Sequence, residues 1–328
     1  MPGAVPLQSK SEPSAARRNL SRLAQAGLAA AVVLECIIFA LYSPTFLTPA
    51  NAINVVLQVS VTAILAIGMT LVILTGGIDL SVGSLVAVAG VLAAFAARAA
   101  GGSAPLAAAI VVGLAAGAAS GAFTGFFVTR FLIPPFIVTL ASMSALRGAA
   151  FLLTGGYSVG DLPLGFARLG RGSFLFLPVP VISMAVLYAV GAVIFSSTVF
   201  GRHIYAVGGN ERAAWLAGVR TARVKFAAYL LNGMLGGFAG VMLASRLGAG
   251  IPNAGLGYEL DVIAAVVVGG ASLFGGKGTL GGTLLGAIFI GILNNGLNLA
   301  NVDPYLQKIA LGAVILGAVL LDQKLAKS

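Results

Sequence analysis

The sequence predicts an all-α polytopic membrane protein of about ten transmembrane helices with both termini cytoplasmic. Three observations carry that expectation. Apolar residues come in runs of roughly 20, the length a helix needs to cross a hydrocarbon core, and the runs are continuous rather than alternating as barrel strands would be. Charged residues make up 9% of the 328 residues and hydrophobic ones 59%, with a mean hydropathy of +1.04, whereas soluble domains carry about a quarter charged residues. Lys and Arg gather on one side of the expected bundle, as short cytoplasmic loops require.

In chain order, residues 1–22 hold Pro, Ser, Arg and Lys and read as a cytoplasmic tail. The first span, 23–43, is too long for a signal-peptide core, contains Glu35 and has no small-x-small site after it, so it reads as a retained helix. Its Cys36 is the single cysteine, which leaves no internal disulfide and a small apolar side chain in a membrane helix. Spans follow at 52–75, 79–97, 105–128, 135–154, 178–199, 225–247, 260–274, 281–299 and 304–322, which makes 23–322 one transmembrane domain, ahead of a short cytoplasmic tail at 323–328. Gly76-Gly77-Ile78-Asp79 separates the second span from the third, and Gly269-Gly270 interrupts the eighth; both read as broken helices. The longest connections are 155–177, expected outside, and 200–224, expected inside.

Orientation comes from the basic residues. With the N-terminus inside, the cytoplasmic side holds Arg17, Arg18, Arg22, Arg130, Arg202, Arg212, Arg220, Arg223, Lys225 and Lys277, with Lys10 and the C-terminal lysines. Arg98, Arg168 and Arg171, with Arg246 and Lys308 nearby, fall on the other side. The net charge of +10 is largely this bias, so it calls for no nucleic-acid partner.

Glycine marks packing. Gly113, Gly117, Gly121 and Gly125 recur every four residues, on one helix face, where they let another backbone approach closely. Gly233 with Gly237, Gly236 with Gly240, and Gly282 with Gly286 repeat the step. Gly77-Ile78-Asp79-Leu80 and Gly257-Tyr258-Glu259-Leu260 echo each other at the starts of the third and eighth spans, which begin on opposite sides; the echo points to an inverted repeat and to a transporter.

Enzymatic chemistry finds little to work with. The stretch Gly275-Gly276-Lys277-Gly278-Thr279 resembles the tail of a nucleotide-binding loop, but Gly270 lies one residue too far away and Gly278 stands where Ser or Thr is needed. One His, His203, and one Cys exclude a rich metal cluster. No catalytic residue, no metal and no cofactor are expected on this chain.

Ionisable groups inside a membrane are costly and therefore candidates for function. Glu35, Asp79, Arg147, Glu259 and Asp261 qualify. Arg147 needs a partner or water, and reads either as a structural ion pair with an acid on another helix or a snorkelling side chain, or as a residue facing the translocation path. Ser81 accompanies Asp79, and Asn294, Asn295 and Asn298 in the ninth span offer amides, either to hydroxyls on a path or to other helices.

The polar island 201–219 stands out against this background. Gly208-Gly209 permits a turn, Asn210 caps a helix, Glu211 sits favourably in the first turn, and Gly218 stops it. Ala213, Ala214, Trp215, Leu216 and Ala217 form a short apolar ridge. So short a helix is marginal alone, so the ridge is expected in a partner's groove or, with Trp215 at the headgroups, on lipid.

Several stretches resemble the permease subunits of bacterial ABC sugar importers, the ribose, xylose and arabinose type within a larger family that includes branched-chain amino-acid permeases. They are Ser43-Pro44-Thr45-Phe46-Leu47-Thr48, Gly68-Met69-Thr70 onward to Ile78-Asp79-Leu80-Ser81-Val82-Gly83, Phe200-Gly201-Arg202 with Gly208-Gly209-Asn210-Glu211, Gly257-Tyr258-Glu259-Leu260-Asp261, Gly275-Gly276-Lys277-Gly278 and Leu293-Asn294-Asn295-Gly296-Leu297-Asn298. The resemblance implies alternating access in the bacterial inner membrane. It also implies a second permease copy or paralogue, a cytoplasmic ABC ATPase carrying ATP-Mg, and a periplasmic sugar-binding protein. The island would then be the segment coupling to the ATPase, although Arg212 interrupts the Glu-Ala-Ala pattern of that segment. Two alternatives stay open: an ion-gradient-driven carrier, which would need buried acids essential for uptake, and a branched-chain amino-acid permease.

Overall fold

The computed structural model describes residues 15–102 and 104–327. Its helices, in chain order, are α1 (Ala15–Tyr42), α2 (Pro49–Leu74), α3 (Val82–Ala100), α4 (Pro105–Arg130), α5 (Pro135–Thr154), α6 (Arg168–Arg171), α7 (Val179–Ser197), α8 (Val199–Gly209), α9 (Glu211–Leu216), α10 (Thr221–Leu247), α11 (Tyr258–Val268), α12 (Leu280–Leu299) and α13 (Pro304–Lys327). The one sheet among the described residues is a two-residue hairpin, β1 (Ser173–Phe174) against β2 (Leu177–Pro178).

Each expected span contains a helix, but not every one is helical throughout or a full span. By length and composition α2, α3, α4, α5, α7, α10 and α12 can cross a membrane, and two shorter apolar stretches, Ala26–Tyr42 and Pro304–Leu320, accompany them. The eighth expected span is corrected. The sequence predicts it over 260–274, yet α11 has 11 residues, about 16 Å at 1.5 Å per residue and half a hydrocarbon core. Gly270, at φ +89°, turns the chain out of the helix before the apolar Ala271 to Phe274 stretch. At the termini, the expected tail 1–22 is helical from Ala15 and the expected tail 323–328 continues α13 to Lys327; residues 1–14 and 328 lie outside the described residues.

Local chemistry sets the boundaries. Proline stands in the first turn of α2, α4, α5 and α7, where its missing N–H costs nothing. Thr48, Thr198 and Thr279 cap α2, α8 and α12 through their hydroxyls.

The packing is organised around α10, which lies most extensively on α4 and then on α3 and α2. Across the first of these contacts the α4 glycines meet α10 backbone. A side chain at Gly117 would overlap the Gly233 carbonyl and stand 3.0 Å from the Gly237 Cα, and one at Gly121 would strike the Tyr229 carbonyl. Gly236 and Gly240 pack on α3, while Gly282 and Gly286 pack on the α11 backbone around Ala265 and Gly269. Buried amides and hydroxyls tie α2 to α12: Asn51 and Asn295 exchange two hydrogen bonds of 2.9 Å, and the Thr70 and Thr283 hydroxyls lie 2.9 Å apart. α2 and α3 are largely enclosed, whereas α4, α5 and α7 present most of their apolar length outward, as lipid-facing helices do.

The 155–177 connection is built rather than loose. Val159 bridges Gly250, Ser245 accepts from the Gly170 amide at 2.8 Å and donates to the Phe166 carbonyl at 2.6 Å, and Arg171 donates to the Arg246 carbonyl at 2.7 Å. This seats the segment on the C-terminal end of α10 and leaves the hairpin tip, with Phe176 100% exposed, projecting outward.

Candidate functional site: a docking corner and two broken helices

Thr198 separates α7 from α8 and accepts from the Gly201 amide at 3.0 Å; Asn210 separates α8 from α9 and accepts from the Ala213 amide at 2.9 Å. Extended backbone at both caps turns the chain, so the island is a two-helix corner. Glu211 at the start of α9 pairs with Lys225 of α10 at 2.5 Å. Gly218, at φ +87°, ends α9.

The corner has an inner and an outer side. Gly201, Ile204 and Val207 of α8 and Ala214 of α9 are buried; Trp215 is 61% and Leu216 71% exposed, and Arg202, Arg212, Ala213 and Ala217 are exposed with them. The expected ridge thus divides. Ala214, 6% exposed, packs on its own chain, and Trp215 with Leu216 forms the apolar outer face.

The inner side grips both breaks. A side chain at Gly208 would overlap the Leu74 carbonyl at the end of α2 and the Gly276 amide in the loop after α11, two groups that are hydrogen-bonded to each other at 3.0 Å. Gly208 is therefore glycine because two backbones converge on it. The Tyr205 hydroxyl donates to the Gly278 carbonyl at 2.9 Å, and burial pushes its phenol up, which keeps that proton in place. Phe274 of the same loop is exposed beside the corner, a surface residue that the apolar reading of 260–274 hid inside a span.

The expected path residues separate into distinct environments. Asp79 is 2% exposed. Its Oδ1 accepts from the Ser81 amide at 2.9 Å and hydroxyl at 2.6 Å, and its Oδ2 accepts from Asn232 Nδ2 at 2.8 Å. Asp79 and Ser81 thus close the start of α3. Glu259 lies across from them: a side chain at Gly83 would overlap its carboxylate and the Gly255 carbonyl, so the first turns of α3 and α11 meet inside the bundle. Among the described residues no acid lies within ion-pair distance of Arg147; its Nη1 donates to the Pro252 and Ala254 carbonyls at 2.9 and 3.0 Å, pinning α5 to the stretch of chain that leads into α11. Asp261 and Asn294 approach to 3.5 Å, Asn295 is taken by Asn51, and Asn298 accepts from Gln307 at 3.0 Å. The three asparagines therefore serve contacts to α11, α2 and α13 in turn. Asn232, Tyr229 and Asn51 belong to no sequence motif; their one signal is a polar residue inside an otherwise apolar run.

What the geometry shows is a projecting corner that grips two interrupted helices. Comparison with known proteins agrees. Residues 51–319 match the family described as the branched-chain amino acid transport system / permease component. The ribose import permease protein of Bacillus subtilis (strain 168) is 48% identical over 290 residues, 88% of this chain and 89% of that protein. That of Escherichia coli (strain K12) is 46% identical over 307 residues, 92% and 94%. The L-arabinose transport system permease protein of the same strain is 36% identical over 299 residues, 91% and 90%. No solved structure matches the chain. A projecting corner held against two broken membrane helices, in a chain aligned almost end to end with these proteins, belongs to the bacterial ABC importer permease family that includes the ribose and arabinose permeases.

Proposed function

We propose that this chain is the membrane subunit of an ATP-driven importer that carries a pentose, ribose first, from a periplasmic binding protein to the cytoplasm by alternating access. Identities of 48% and 46% to ribose permeases against 36% to an arabinose permease support ribose over arabinose. The observation that carries the mechanism is the outward pair Trp215 and Leu216, an exposed apolar face on a corner whose inner side touches both α2 and the loop after α11. An ATPase seated on that face moves two broken helices at once. The binding protein would dock on the opposite surface, on the hairpin and the Arg168 and Arg171 region, and a second permease copy would complete the path. The chain would cross the inner membrane ten times, with α1, α13 and the whole 251–276 stretch that contains the short α11 included, both termini cytoplasmic and α3 and α11 as corresponding parts of an inverted repeat; the meeting of Gly83 with Glu259 supports that symmetry.

The test is uptake into proteoliposomes holding the permease, its ATPase and its binding protein, with ribose, arabinose and leucine supplied separately. ATP-dependent ribose uptake that exceeds arabinose uptake, with no leucine uptake, is the expected result. Leucine uptake would move the chain to the amino-acid branch. Uptake driven by an ion gradient without the ATPase would overturn the mechanism.

A further inference from the structure

Lys225, Tyr229 and Asn232 are spaced four and then three residues apart, which places them on one face of α10. At one end Lys225 pairs with Glu211 of α9 at 2.5 Å. In the middle the Tyr229 hydroxyl lies against Gly77, where any side chain would overlap it. At the far end Asn232 donates to Asp79 at 2.8 Å. One helix face thus runs from the outer corner to the buried start of α3.

We propose that this stripe is a lever: movement of α9 reaches the break between α2 and α3 through α10, and the Asn232 to Asp79 hydrogen bond is the lever's inner end. Asn232 is a positioning residue, and the proposal rests on the reading that an ATPase pushes on α9. Three features make the inner end stiff. Asp79 is 2% exposed, so an α10 that moved alone would strip a donor from an enclosed carboxyl group. The Asn232 amide cannot withdraw, because Gly68 of α2 packs directly on it, so closely that a side chain there would overlap Oδ1 and come within 2.8 Å of the Asn232 Cα. Asp79 is tied in turn to Ser81 by two bonds, so a pull on its carboxylate acts on the first turn of α3. Tyr229, whose buried hydroxyl has no hydrogen-bond partner among the described residues, acts as a steric stop against Gly77.

The experiment compares wild type, Asn232→Leu, the exchange Asp79→Asn with Asn232→Asp, and Trp215→Asp in the reconstituted complex. It measures ATPase capture, ATP hydrolysis and ribose moved per ATP. Leu matches the shape of Asn and removes its hydrogen bonds, while the exchange rebuilds the contact with donor and acceptor reversed. Asn232→Leu is expected to capture the ATPase and hydrolyse ATP while ribose moved per ATP falls roughly fivefold or more, and the exchange to recover it within about twofold. Unchanged transport per ATP in Asn232→Leu, or no recovery in an exchange variant that captures the ATPase normally, overturns the lever. Normal capture by Trp215→Asp overturns the docking reading beneath it, whatever Asn232→Leu does.

Discussion

At the scale of single residues, the α4 and α10 contact makes a graded prediction. Gly117 and Gly121 face backbone atoms of α10, which cannot swing aside, whereas an added methyl at Gly125 would stand 3.1 to 3.3 Å from Phe226, including a ring carbon that can give. Gly117→Ala and Gly121→Ala are expected to cost about 1–3 kcal/mol or more through overpacking, and Gly125→Ala distinctly less. Thermal unfolding of the purified permease in detergent reads the order directly; a Gly125→Ala protein weaker than Gly117→Ala would contradict the packing described. The same scale shows what the sequence could and could not disclose. The four-residue glycine step was legible because it repeats. Asn232 was not, since a lone amide in a helix of 27 residues has no period and its partner Asp79 lies 153 residues away.

Among the elements, the apolar runs located the helices, and capping residues in the sequence located the corner: Asn210 and Gly218 stand where α9 starts and stops. What stayed hidden was depth. Hydropathy reads apolar residues alike whether the chain is helical or has turned back, so Ala271 to Phe274 extended an apparent span past the place where Gly269 and Gly270 end α11. Hydropathy also could not say which side of α9 faces outward, because a six-residue helix is too short for a clear stripe. The structure resolves that question into a prediction. Trp215→Asp and Leu216→Asp should insert normally and lose the ATPase in a pull-down, since they change only the outer face. Ala214→Asp should instead lower the unfolding temperature, because it buries a carboxylate against α8 and α10. A folded Ala214→Asp permease that merely fails to bind would place the docking face on the wrong side of the helix.

For the molecule as a whole, the decisive property is sidedness. The corner, the end of α2 and the loop after α11 converge at one end of the bundle through Gly208, while the hairpin segment, the end of α10 and the turn at Gly250 converge at the other through Ser245 and Val159. Arg202, Arg212, Arg220 and Arg223 crowd the first end, which the charge rule assigns to the cytoplasm; the second carries Arg168 and Arg171. Cys36 is the one native thiol, so it can be replaced and a single reporter placed at will. In a Cys36→Ala background, Phe176→Cys is expected to react with a membrane-impermeant maleimide in intact spheroplasts, because Phe176 projects fully from the hairpin tip. Arg212→Cys, exposed on α9, should react only after the membrane is opened. Labelling of Arg212→Cys in intact spheroplasts would turn the bundle over, and with it the assignment of the corner to an ATPase that works in the cytoplasm.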